Sequence, residues 1–242
     1  MAKTQLKKLS IRKFRALNNV DLEFGTHVTV ICGKNGTSKS SILGVAAQIF
    51  SFERDYSADV SLEFQTIAGG KFKSLPKEHF RFSDQFDVPG SMDVAVELFD
   101  GYTNTNATAE LELSKRGKGA RPVVRKNSTA KVGNESRNFT HPVIFLSLKR
   151  LLPIAEREYA VGNFAYLDQN KQRFIALTNE LLNKTSSAAT STQGSIQSAV
   201  AHGDNYNQDS VSAGEDNAGQ ILMALMSFRK LKEENPTGYK GG

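Results

Sequence analysis

Val28-Thr29-Val30-Ile31-Cys32-Gly33-Lys34-Asn35-Gly36-Thr37-Ser38-Lys39-Ser40-Ser41 is the stretch that decides the fold. Its first five residues form a β-branched and apolar run, as expected of a strand buried on both faces. Lys39 to Phe50 then carries Ile42, Leu43, Val45, Ala46 and Ile49 at helical spacing. Between strand and helix the chain fits a phosphate-binding template: Gly, any four residues, Gly, Lys, then Ser or Thr. Only Ser38 departs from it, standing where the second glycine is usual. A serine fits there if that residue has a negative φ, so Ser38 bears on the geometry of the loop rather than on its assignment.

The chemistry of such a loop is specific. Successive backbone N–H groups curl around a β-phosphate, and the helix N-terminus adds its positive end. Lys39 reaches the β- and γ-phosphates, and the Ser40 hydroxyl ligates Mg²⁺. Gly33 and Gly36 permit backbone angles that a Cβ disfavours. The expected ATP site is therefore Gly33, Lys34, Asn35, Gly36, Thr37, Ser38, Lys39, Ser40 and Ser41, with Lys39 catalytic and Ser40 the metal ligand. The bland alternative is a chance Gly/Ser/Lys turn. The strand pattern before it and the helix pattern after it are the context that favours the motif.

Outward from this loop, Leu9, Ile11 and Phe14 alternate with polar residues, as does Val20–Phe24, and both read as strands. Residues 1–56 thus read as strands, loop and first helix. Residues 57–148 read as mainly antiparallel: Val60, Leu62 and Phe64 alternate, then Val94, Val96 and Leu98, then Leu111 and Leu113. Gly69-Gly70, Pro89-Gly90 and Gly117–Gly119 punctuate them. Val143-Ile144-Phe145-Leu146 is a second candidate for the buried sheet. Residues 149–242 read as a helical lobe. It has a helix over 171–184 (Phe174, Leu177, Leu181, Leu182) and a loop or weakly ordered Ser/Thr/Asn-rich segment over Thr185–Gln208. A helix over Ala218–Lys232 follows, with Ile221, Leu222, Leu225, Phe228 and Leu231 as its apolar stripe, stopped by Asn235-Pro236-Thr237-Gly238.

The totals narrow the class. The 242 residues are 39% hydrophobic and 23% charged, an ordinary globular balance. A formal charge of +6 mildly favours polyanionic partners. The single cysteine, Cys32, excludes an internal disulfide, fits a reducing compartment, and reads as a small buried apolar residue. No apolar stretch approaches the roughly 20 residues that span a bilayer, and no secretory signal opens the chain. A cytoplasmic chain with no membrane partner is expected. His27, His79, His141 and His202 are scattered and read as surface or packing residues.

Val211-Ser212-Ala213-Gly214-Glu215-Asp216-Asn217 stands before the last helix. Taken alone it reads as an N-cap with acids in the first turn. Taken with the front end it carries a resemblance. Leu9–Leu17, an apolar strand ending in Phe14-Arg15, the loop Gly33–Ser40 and Val211–Glu215 resemble, in order, the opening strand, Walker A and Leu-Ser-Gly-Gly-Glu/Gln signature of the SMC/RecF/OLD branch of ABC-type ATPases. Ala213, in place of the first signature glycine, departs mildly. The resemblance implies an α/β fold: a P-loop ABC-type head with a mixed sheet, an antiparallel β subdomain and a helical signature lobe. It implies two heads paired head-to-tail around ATP, with Ser212, Gly214 and Glu215 facing the partner head's nucleotide, Ser212 and Gly214 closing on its γ-phosphate. No coiled coil interrupts the chain, so a compact RecF-like or OLD-like head fits. Gly214-Glu215-Asp216-Asn217-x-Gly219-Gln220 looks most like the ATPase subunits of bacterial anti-phage defence systems.

The Walker B strand that the family places after the signature helix is not found by residue 242, so an N-terminal part of a longer ATPase is expected. Lys115–Arg137 holds Lys115, Arg116, Lys118, Arg121, Arg125, Lys126, Lys131 and Arg137 against the one acid Glu135. It reads first as a solvated loop, second as a nucleic-acid contact. The implied partners are the chain itself, as a head-to-tail dimer or higher oligomer, and an effector protein, nuclease or DNA end. The alternatives are a nucleotide-stabilised scaffold that sequesters an effector, and a RecF/SMC-like DNA repair ATPase. A small-molecule kinase has no use for the 211–216 segment.

Overall fold

The computed structural model describes residues 3–55, 60–115, 120–126, 138–152 and 154–234. They form two compact units, the first running to Glu63 and over Phe72–Phe145, the second taking Phe64–Lys71 and the chain from Leu146 onward.

The first unit opens with β1 (Gln5–Phe14) and β2 (Leu17–Glu23), followed by α1 (Lys39–Ala47). Short pieces come next: β3 (Phe50–Ser51), β4 (Arg54–Asp55), β5 (Val60–Ser61) and the one-turn α2 (Pro76–His79). Then run β6 (Met92–Asp100), β7 (Thr105–Lys115), β8 (Ala120–Lys126) and β9 (Phe139–Thr140). Five strands make one sheet in the order β2-β1-β6-β7-β8, antiparallel throughout. Alternation explains it: Leu9, Ile11, Val94, Val96, Leu98, Leu111 and Leu113 point to one face, where Ile42, Val45 and Ile49 share their core. The expected mixed sheet is thus a large antiparallel one. The parallel pairing described is β3 with β9, two residues long.

Arg15, from the Phe14-Arg15 end of β1, is a structural clamp. Its guanidinium donates to both carboxylate oxygens of the buried Asp87, at 3.2 and 3.0 Å, and lies 5.2–5.7 Å from the ring centres of Phe14, Phe80 and Phe82.

Two expectations for this unit fail. Val28–Cys32 is neither strand nor buried: Val28 and Val30 are each 76% exposed, and Cys32 is exposed. β-branched propensity expresses packing against ladder neighbours, and among the described residues no strand pairs with this run. Val143–Leu146 likewise forms no strand and is half-buried, tied by a 3.5 Å bond from Val143 N–H to Phe72 C=O. Of the basic stretch, Arg121 is exposed on β8, while Arg116, Lys118, Lys131 and Arg137 lie outside the described residues, as do Gly117–Gly119 and the helix stop at 235–238.

The second unit contains β10 (Tyr159–Gly162), α3 (Ala165–Gln169), α4 (Lys171–Leu182), β11 (Ala188–Gly194), β12 (Ser198–His202) and α5 (Ala213–Glu234). It is therefore α+β and not helical throughout. The segment expected to be a loop folds into β11 and β12, in a three-stranded antiparallel sheet ordered β10-β11-β12. Small side chains made it look loop-like, yet they are what the packing needs. A Cβ on Gly219 would stand 1.8 Å from the Ala199 carbonyl oxygen, so α5 presses on the β12 backbone. The buried stripe of α5 follows from that approach. It is Leu222, Met223, Met226 and Leu231, while Leu225 and Phe228, expected inside, are exposed. Among the described residues no helix is long and apolar enough to cross a membrane.

Candidate functional site

The loop Gly33–Ser41 leads directly into α1. Gly36 has φ +82°, a backbone that favours glycine. Gly33 is crowded: a Cβ there would meet Thr37 Oγ1 at 3.0 Å, because that hydroxyl folds back to donate to Lys34 C=O at 2.8 Å. Ser38 does not meet the condition of a negative φ. It lies in the left-handed region, φ 60° and ψ 20°, where the template glycine would sit without steric cost. As the N-cap of α1 it accepts the backbone bonds of Ser41 and Ile42 through its carbonyl, at 3.0 and 3.1 Å, but its hydroxyl makes no cap bond. The outward N–H groups of the first turn are thus left for another acceptor.

Lys39 Nζ donates to the carbonyls of Gly33 and Lys34 at 2.7 and 2.6 Å, bridging the first arm of the loop. Lys34 to Thr37 and Ser40 are exposed, while Ser38, Lys39 and Ser41 are half-buried. The arrangement fits a nucleotide phosphate. A nine-residue helix presents an uncapped N-terminus, a glycine clears the backbone, and one ammonium stands across the loop. The exposed Ser40 hydroxyl, second in α1, has the chemistry to ligate Mg²⁺, which when bound neutralises phosphate charge.

Ser212, Gly214 and Glu215 come together at the start of α5, in the other unit from the loop. Ser212 and Glu215 form a capping box. Glu215 N–H donates to Ser212 Oγ at 3.2 Å, and Ser212 N–H donates to Glu215 Oε2 at 2.8 Å. Lys184 Nζ donates to Glu215 Oε1 at 2.6 Å. Burial pushes the Glu215 carboxyl up, but the bonds from Lys184 and Ser212 outweigh it and hold the group below the usual carboxylate range. Ser212 and Gly214 are exposed.

Beneath them lies a network with no local signal in the sequence. Asp216, 1% exposed, accepts from Arg157 Nη2 (2.5 Å, itself 3% exposed), Ser198 Oγ (2.8 Å) and Gln220 Nε2 (2.8 Å). Asn217 Oδ1 accepts from Arg150 Nε at 2.9 Å. The histidines pack as expected: His79 against Phe145 and Phe80, His141 against Phe50, His202 on Thr190, with His27 at the surface.

A protein-family model described as an AAA domain matches residues 8–184, well over half of the 242 residues, and takes in the whole phosphate loop. Its matched region ends before the Ser212–Glu215 segment. No curated protein and no solved structure matches the chain. With a family match across the loop, and a loop whose geometry suits a phosphate, the chain belongs to the AAA domain family of nucleotide-binding P-loop ATPases.

Proposed function

We propose that the chain is an ABC-type head of the SMC/RecF/OLD branch that binds ATP·Mg²⁺ through Gly33–Ser41 and pairs with a second copy through the tip of α5. In this reading Lys39 leaves the Gly33 and Lys34 carbonyls and meets the β- and γ-phosphates, while the first-turn N–H groups of α1 hold the phosphate oxygens. Ser212 and Gly214 of one copy close on the γ-phosphate held by the other.

One observation carries the pairing. Ser212 Oγ accepts the Glu215 N–H, so its own O–H hydrogen remains to be donated outward from an exposed helix N-terminus. Gly214 beside it is also exposed, its nearest neighbour 3.8 Å from where a Cβ would stand, so another backbone can approach. We extend the reading to the control of an effector protein, a nuclease or a DNA end in bacterial anti-phage defence, supported by the run Gly214-Glu215-Asp216-Asn217-x-Gly219-Gln220. A cytoplasmic location goes with it.

The capping box itself favours a second reading. It accounts for Ser212 and Glu215 as structural residues, leaving nucleotide as a ligand that stabilises a scaffold. Mass photometry of wild type, Lys39→Ala and Ser212→Asp, with and without ATP·Mg²⁺, separates the two. Aspartate caps a helix as well as serine does, yet sets a negative charge against phosphate. The first reading expects ATP-dependent pairs in wild type and none in either variant. Normal pairing of Ser212→Asp leaves the segment as a cap and the scaffold reading in place.

A further inference from the structure

Three consecutive residues of α5, immediately after the Ser212-Ala213-Gly214 tip, are each held by a cationic residue from a different part of the second unit. Lys184, just past α4, holds Glu215 at 2.6 Å. Arg157, just before β10, holds Asp216 at 2.5 Å. Arg150 holds Asn217 at 2.9 Å, and is itself fixed by donating to the carbonyls of Leu146 and Ser147 at 2.8 and 3.1 Å. Gln220 ties two of these together, its Nε2 donating to Asp216 Oδ2 at 2.8 Å and to Arg150 C=O at 3.3 Å. Neighbouring helix positions are about 100° apart, so the three grips span about 200° of the circumference of α5. A helix held on one side can still roll; one held over half its girth cannot.

We infer that Lys184, Arg150 and Arg157 are positioning residues that set the roll and axial register of α5, and thereby aim the Ser212-Ala213-Gly214 tip at the nucleotide of a second copy. The inference rests on the pairing reading above. Lys184 acts most directly. Glu215 divides its carboxylate between the Lys184 ammonium and the Ser212 N–H, so the ammonium fixes the group that orients the signature serine. All three grip α5 within the second unit, while the phosphate loop belongs to the first, so nucleotide binding by a single copy should not need them.

Lys184 gives the clean test, since its side chain is 46% exposed and its truncation leaves the core intact. The full chain is compared as wild type, Lys184→Met, Lys184→Arg, Arg150→Met and Ser212→Asp. Three readouts are taken: affinity for a fluorescent ATP analogue, thermal melting by circular dichroism, and the protein concentration at which ATP drives pairing. Lys184 is half-exposed although the Glu215 side chain is only 10% exposed, so the pair is worth about three- to fivefold in an equilibrium constant, the upper end for surface pairs. Head-to-tail pairing uses two tips, so the expected loss for Lys184→Met is about tenfold in pairing, with analogue affinity within about twofold of wild type. Lys184→Arg, which keeps the charge, should recover most of it, and Arg150→Met should weaken pairing in the same way. Pairing within about twofold of wild type in Lys184→Met and Arg150→Met, with Ser212→Asp unpaired, would overturn the positioning role and leave the pairing reading standing. Should Ser212→Asp itself pair normally, both fall. If Arg150→Met does not fold, the Lys184 pair decides alone.

Discussion

Gly219→Ala sets two effects of opposite sign against each other. In an exposed helix interior, replacing glycine by alanine stabilises by about 1 kcal/mol. Gly219 is buried, and its ideal Cβ would lie 1.8 Å from Ala199 O, 3.0 Å from Ala199 C and 3.7 Å from Val200 Cα. A gap of more than about an ångström must open before that carbon and oxygen reach ordinary contact. The obstacle is backbone, and it has no slack: Ala199 and Val200 are 0% and 1% exposed and are paired to Ser191 and Thr190 of β11. Overpacking costs 1–3 kcal/mol, so a backbone clash belongs near about 3 kcal/mol, and the net destabilisation is about 2 kcal/mol or more. Gly214→Ala is the internal control. It is the second residue of the same helix, its Cβ would meet nothing nearer than Ser212 Oγ at 3.8 Å, and it should be neutral or stabilised by up to about 1 kcal/mol. Urea denaturation gives the magnitudes, and hydrogen exchange of the β12 amides localises them to the second unit. A Gly219→Ala chain as stable as wild type, with the control behaving as expected, would refute the close α5–β12 approach and the choice of buried face derived from it.

Arg157→Met leaves Asp216 buried without its cation and should cost about 3–5 kcal/mol in urea denaturation, much of it regained in the double variant Arg157→Met/Asp216→Leu. Burial holds the His141 imidazole down, to about 4, only partly opposed by the charge of Asp100. The folded state therefore resists the proton that the unfolded chain takes up. Stability is full above pH about 6.5 and falls as pH drops towards 4, by about 2–3 kcal/mol, and His141→Gln should flatten that slope in melts across pH 4–7. Ser38→Gly relieves a left-handed serine worth about 1–2 kcal/mol and restores about 0.5–1 kcal/mol of chain entropy to the unfolded state. The expected net gain is up to about 1 kcal/mol in melting experiments, with nucleotide affinity undiminished, whereas a destabilised variant would show that the serine side chain has a role of its own.

The parts of the molecule that were legible in the sequence are those whose signal is local. The loop before α1 is shaped by Gly36, Thr37 and Lys39 through contacts within a few residues, and β6 and β7 by alternation on a sheet with one buried face. The serine at 212 ahead of its acids announces an N-cap for the same reason, and the structure closes it with Glu215 as a capping box. Where the deciding contact is distant, local pattern misleads. Val28–Cys32 has strand chemistry but no ladder neighbour among the described residues. Ser198–Ala201 has loop chemistry, yet is strand because Gly219 needs a small-residue surface to press upon. Ile221, Leu225 and Phe228 form as good an apolar stripe as Leu222, Met223 and Met226, and only that contact decides which turns inward. The cations gripping α5 come from 31 to 67 residues upstream, beyond any pattern a helix can display.

The order of the large sheet also sets when α1 gains the core it packs on. β1 and β6 are neighbours, although the partners Ile11 and Val94 stand 94 − 11 = 83 positions apart. The hairpin of β1 with β2 and that of β6 with β7 close locally, on the microsecond scale. Joining them costs about 4 kcal/mol of loop-closure entropy, recovered only as the β1–β6 ladder zips. The loop and α1 lie inside the closed interval, and Ile42 and Val45 find their core on the finished sheet. On the ribosome, then, α1 emerges well before the strand that completes the face it packs on, and Ile42 and Val45 can be buried only after Asp100 has been synthesised.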